Sequence, residues 1–133
     1  RPAGSYSVRR WPEESTVGQL LANTGGAKRG CCANASRLAA PAWPPKIAEY
    51  RKNTKLDVDH DTAISFLSDS FDFCNKAVAA TTPEHMHTVV GPPARNMTGF
   101  EWLWAYFTHT AHHRGQAEVY LRIKGIKPPD YKF

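Results

Sequence analysis

Apolar residues return every three or four positions in three stretches of the chain, the spacing of helices that bury one face. In the first, Val17, Leu20, Leu21, Thr24, Cys31, Cys32 and Ala35 form a stripe that ends near residue 36, and Ser15 or Thr16 supplies the cap. Gly25, Gly26 and Gly30 interrupt it. Each costs on the order of 1 kcal/mol relative to alanine inside a helix, which predicts close approach by a neighbouring element. In the second stretch Ile64, Leu67, Phe71, Cys74 and Val78 follow a cap at Asp59 or Asp61 and are expected in the core. The third is predicted to run over residues 98–124, stopped by Gly125 with Pro128 and Pro129 beyond. On a helical projection Phe100, Leu103, Trp104, Phe107, Ala111 and Leu121 share the side expected to face the core. Trp102, Tyr106, His109, His113, Gln116 and Tyr120 share the other, expected to line a cleft or a subunit interface.

The intervening segments carry the breakers. Residues 1–14 show no helical period. Residues 39–57 hold Pro41, Pro44 and Pro45, enough chain to cross one end of a bundle with a short helix at 45–51. Residues 81–97, with Pro83, Gly91, Pro92 and Pro93, read as a loop. No internal repeat appears, and the expectation is one all-α domain over residues 1–133.

Composition adds boundaries. With 41% hydrophobic and 22% charged residues the chain is expected to fold as an ordinary globular domain. Its apolar runs are too short to cross a bilayer and nothing near the start resembles a signal peptide, so a cytoplasmic protein without a membrane partner is expected. The chain begins at Arg1 rather than Met, and further residues are expected upstream. The net charge of +5 is dispersed: Lys28, Arg29 and Arg37 in one helix, Arg51, Lys52 and Lys55 in a connection, Arg114, Arg122, Lys124 and Lys127 near the end. That pattern reads as solvated surface and offers no basic stripe for nucleic acid. Three cysteines, Cys31, Cys32 and Cys74, form no even framework and are read as reduced, small buried hydrophobes, again pointing to the cytoplasm.

His109 and His113 are one helical turn apart, so their rings project in parallel and can reach one ion. Two ligands are fewer than zinc or nickel sites use, and a third must come from elsewhere; the competing reading is a pair of surface or interface histidines without metal. His112 projects away from its neighbours, and His85 and His87 lie in a loop. Arg114 and Gln116 are placed to support the histidines or to bind an anionic substrate group.

The segment His109-Thr-Ala-His-His-Arg-Gly-Gln116, followed by Tyr120-Leu-Arg-Ile-Lys-Gly-Ile-Lys-Pro-Pro129, closely resembles the last helix of the DinB-like superfamily of small metalloproteins. Ser15-Thr-Val-Gly-Gln-Leu-Leu21 is similar to that family's second helix and Ser70-Phe-Asp-Phe-Cys74 to its third, so the resemblance covers nearly the whole chain. It implies an up-down four-helix bundle, often a homodimer, holding nickel, zinc or a related ion on three histidines. Two of these map onto His109 and His113, whereas the position of the third is Asn23, a neutral oxygen ligand much weaker for these ions than imidazole. Low occupancy or loss of the metal is therefore expected. The family's first helix has no counterpart, since residues 1–14 match the loop that follows it.

Two functions remain open. Relatives include thiol-dependent transferases and isomerases, so one reading is a divalent-metal-dependent transferase or hydrolase-like enzyme with an impaired site at His109, His113 and Asn23, and with Arg114, Gln116, Tyr106 and Tyr120 around the substrate. The other is a non-catalytic helical module for dimerisation or small-molecule binding that has lost its metal. The small-molecule substrate is not legible in either.

Overall fold

The computed structural model describes residues 15–131; the expectations for residues 1–14 lie outside them. The chain forms three long helices, α1 (Val17–Ser36), α3 (His60–Ala80) and α5 (Gly99–Ile123), with two short ones, α2 (Pro45–Lys52) and α4 (Pro83–His87). It is an all-α bundle in which α3 and α5 each pack along α1 and barely touch one another. The segment expected to be a loop holds α4 and a two-residue antiparallel ladder, β1 (Val89–Val90) with β2 (Met97–Thr98), which sets the start of α5. No helix among the described residues is long and apolar enough to cross a membrane.

The helix starts follow local chemistry. Thr16 caps α1 through a reciprocal box with Gln19, whose Nε2 also donates to the carbonyls of Thr54 and Leu56. Asp59 caps α3 and receives Lys46 Nζ at 2.7 Å, while Thr98 and Glu101 form the box at α5. The stops are equally local: α1 ends on left-handed Arg37, and Gly125, at φ 69°, follows α5.

The stripe of α1 is buried largely as expected and so is Cys74 on α3, but most of the face of α3, and that of α5, read from apolar spacing turns outward. On α3 the buried positions are Ala63, Phe66, Ser70, Phe73, Cys74 and Ala77, while Ile64, Phe71 and Val78 are exposed. On α5 Trp102 and Tyr120 are buried, and Phe100, Trp104 and Phe107 stand 56%, 59% and 56% exposed. The reason lies at the α1 contact. Small residues let the helices approach, and Gly25 gives the clearest case, since a methyl there would lie 2.8 Å from the Phe66 ring. Gly30 faces open space, so the close approach expected at all three glycines holds at Gly25 alone.

Two further expectations are corrected. Lys28 and Arg29, read as solvated surface, are buried at 0% and 2% exposure. Arg29 Nε donates to Ser70 Oγ at 3.0 Å and its Nη1 to the Ala42 carbonyl at 3.0 Å, tying the chain before α2 to both long helices. Lys28 Nζ stands 3.5 Å from the Phe71 ring centroid and 4.4 Å from that of Tyr106. Cys32 and Cys74, read as reduced, are joined by a disulfide between α1 and α3, their Cα atoms 5.4 Å apart; Cys31 is a free, buried thiol. The inference from reduced thiols to a cytoplasmic location fails with that pair.

Candidate metal centre

The α1 contact brings Asn23 to the histidines of α5. His109 and His113, one turn apart, turn their Nε2 atoms toward each other at 3.1 Å, and Asn23 Nδ2 lies 3.1 Å from His113 Nε2. Gln116, three residues on, places Oε1 2.6 Å from His113 Nδ1. An amide oxygen only accepts, so His113 carries its proton on Nδ1 and keeps a lone pair on Nε2. That is the tautomer a ligating histidine needs, fixed by an outer partner.

That one lone pair can accept from Asn23 Nδ2–H or from a His109 Nε2–H, each nitrogen lying 3.1 Å away. The two neighbours thus compete for a single acceptor. The His109 pKa is lowered, first by burial and then by the nearby charges of His113, His112, Arg95 and Lys28. The shift favours the neutral imidazole, the form that a metal requires.

Two nitrogens bound to one ion at about 2.0–2.1 Å lie roughly 2.9–3.4 Å apart for angles between octahedral and tetrahedral. The 3.1 Å separation of the two Nε2 atoms falls within that span. Two vertices therefore fit a divalent ion. The third is a neutral amide, which would have to turn its oxygen inward, and among the described residues no third histidine, cysteine or carboxylate joins the pair.

The remaining candidates are placed elsewhere. His112 meets His113 edge-on, with ring centroids 5.0 Å apart. His85 caps its own short helix, accepting from Thr82 N–H, and His87 is exposed. Arg114 pairs with Glu118 at 3.0 Å and lies over the Tyr131 ring, so its guanidinium is already engaged. Tyr120 is in the core and donates to the Ser15 carbonyl at 2.8 Å, while the Tyr106 hydroxyl accepts from Lys28 Nζ at 3.4 Å. Lys28 itself, which also donates to Thr110 Oγ1 at 3.3 Å, is the residue that apolar patterning missed; the only signal for it was the aromatic side chains available on α3 and α5.

A helical bundle with a histidine pair facing an amide on the central helix defines the class: an all-α scaffold built around a small polar centre. The model of the DinB superfamily matches residues 2–117, and the chain belongs to that superfamily. No curated protein matches it.

Proposed function

We propose that this chain is a weak divalent-metal-binding protein, with nickel or zinc held by His109 and His113 and the Asn23 side-chain oxygen in third position. The observation that carries the reading is the convergence of the two Nε2 atoms at 3.1 Å, with the His113 tautomer fixed by Gln116. A bound divalent ion supplies Lewis acidity that lowers the pKa of a thiol or water, which makes thiol transfer on a small molecule the reaction class to screen. Under this reading His109 and His113 hold the ion, Gln116 orients His113, and the exposed side of Asn23 leaves room for a ligand.

The hydrogen-bond contacts that Asn23 and His109 make with His113 Nε2 favour a second reading, a module in which these contacts replace the metal. Elemental analysis of untagged protein after equilibrium dialysis against nickel or zinc, read as the metal held above the dialysate, separates the two. Held metal that disappears in His109→Ala supports the site; no held metal in the parent supports the module. A homodimer is proposed under either reading. It is supported by Phe100, Trp104 and Phe107, which follow one another at four and three residues on α5 and are all exposed.

A further inference from the structure

Asn23 faces two environments. On one side it meets His113, and on the other it lines a cleft of about 200 Å³ between α1 and the 43–54 segment. Ala22, Asn23 and Gly26 form the α1 wall, and Trp43, Ile47 and Arg51 the opposite one. Arg51 lies over the Trp43 ring, 4.0 Å from its centroid, and no carboxylate among the described residues pairs with it. A guanidinium stacked on an indole is held in place while its N–H edge stays free for a two-pronged contact with a planar oxyanion.

Gly26 keeps the cleft open. A mid-helix glycine costs on the order of 1 kcal/mol against alanine. At Gly25 the Phe66 ring explains the cost, but a methyl at Gly26 would make only ordinary contacts, 3.5 Å from Arg51 Nη1 and 3.8 Å from Trp43. Nothing in the packing requires glycine there. What a side chain would do is fill the space in front of the Arg51–Trp43 pair.

We infer that this cleft binds a small organic carboxylate, its carboxylate on Arg51 and its short apolar body against Trp43, Ala22 and Ile47. The volume lies below the roughly 300–1,000 Å³ of pockets for drug-sized ligands, so the ligand is about the size of one ring with one acid group. Its binding does not depend on a metal at the histidines.

The test is a titration of the ¹⁵N-labelled full chain with benzoate in the presence of a chelator, with benzamide as the neutral isostere and inorganic phosphate as a bare anion. Benzoate is expected to bind with an affinity on the order of 1 mM, moving the Gly26 amide and the Trp43 indole N–H signals. Benzamide and Arg51→Gln should each weaken binding by about tenfold or more. Gly26→Val, which fills the cleft while improving helix propensity, should abolish those shifts; should it fail to fold, exposed Arg51 still provides the decisive variant. The proposal is overturned by equal binding of benzamide, by unchanged binding in Arg51→Gln, by benzoate shifts centred on His109 and His113, or by phosphate competing on equal terms.

Discussion

Lys28 is a cation with no carboxylate partner among the described residues, and replacing it with methionine should stabilise the protein. Burial lowers its pKa from 10.5 to about 8. At about 1.36 kcal/mol per pK unit, keeping it charged at neutral pH opposes folding by roughly 3 kcal/mol. Its contacts with the Phe71 and Tyr106 rings return part of that, roughly 1–2 kcal/mol, and Lys28→Met gives them up along with the charge. The net expectation at neutral pH is a gain of about 1–2 kcal/mol, or roughly 4 °C in Tm per kcal/mol. The pH dependence has a definite sign. Between the folded value near 8 and the unfolded value of 10.5 the unfolded chain binds more protons, so the parent should gain stability as pH rises through that window. The variant should lack that rise and lose its advantage above it. Urea unfolding of both proteins at neutral pH and at about pH 10 reads the difference. A variant less stable than the parent at neutral pH, or a parent whose stability is flat across the window, would refute the reasoning.

Three other outcomes are expected. Asp59→Ala removes the α3 cap and the exposed pair with Lys46 and should cost about 1–2 kcal/mol, read by thermal unfolding; because those contacts hold the carboxyl below its usual pKa, their contribution should fade as pH falls below 3.8. Cys74→Ser opens a covalent loop of 42 residues' separation and should cost about 2–4 kcal/mol, while alkylation of the unfolded, unreduced parent followed by mass spectrometry should label Cys31 but neither Cys32 nor Cys74. Trp104→Glu puts a charge on the exposed apolar ridge of α5 and should convert the proposed dimer to monomer in light scattering; a parent of monomer mass would end that proposal.

The caps, the boundaries of the long helices and the stripe of α1 were legible because each depends on residues close in sequence. The burial of α3, Cys74 apart, and of α5 was not. Both helices carry large apolar side chains around most of their circumference, and periodicity cannot say which arc meets a partner. The choice is made at the contact with α1, where the buried arc of α3 sets Ala63, Ser70 and Ala77 between the rings of Phe66 and Phe73 and leaves Ile64 and Val78 outside. Lys28 and Arg29 were misplaced for a related reason: a cation is buried when rings and carbonyls from distant segments surround it, and no local pattern encodes that. The Cys32–Cys74 bond depends on the same α1 to α3 register. At the centre, the histidine pair was readable from its one-turn spacing, and Asn23 only through the resemblance of the surrounding segment. The outer contact of Gln116 was anticipated in kind, whereas that of Arg114 goes to Glu118 and Tyr131 instead.

The central claim is that the third position, Asn23, sets the metal affinity of this centre. Calorimetric titration of nickel or zinc into the untagged parent and Asn23→His tests it directly. The account predicts weak, His109-dependent binding in the parent and a gain of at least about tenfold when imidazole replaces the amide. Equal affinity in the two proteins, or binding that survives His109→Ala, would contradict it.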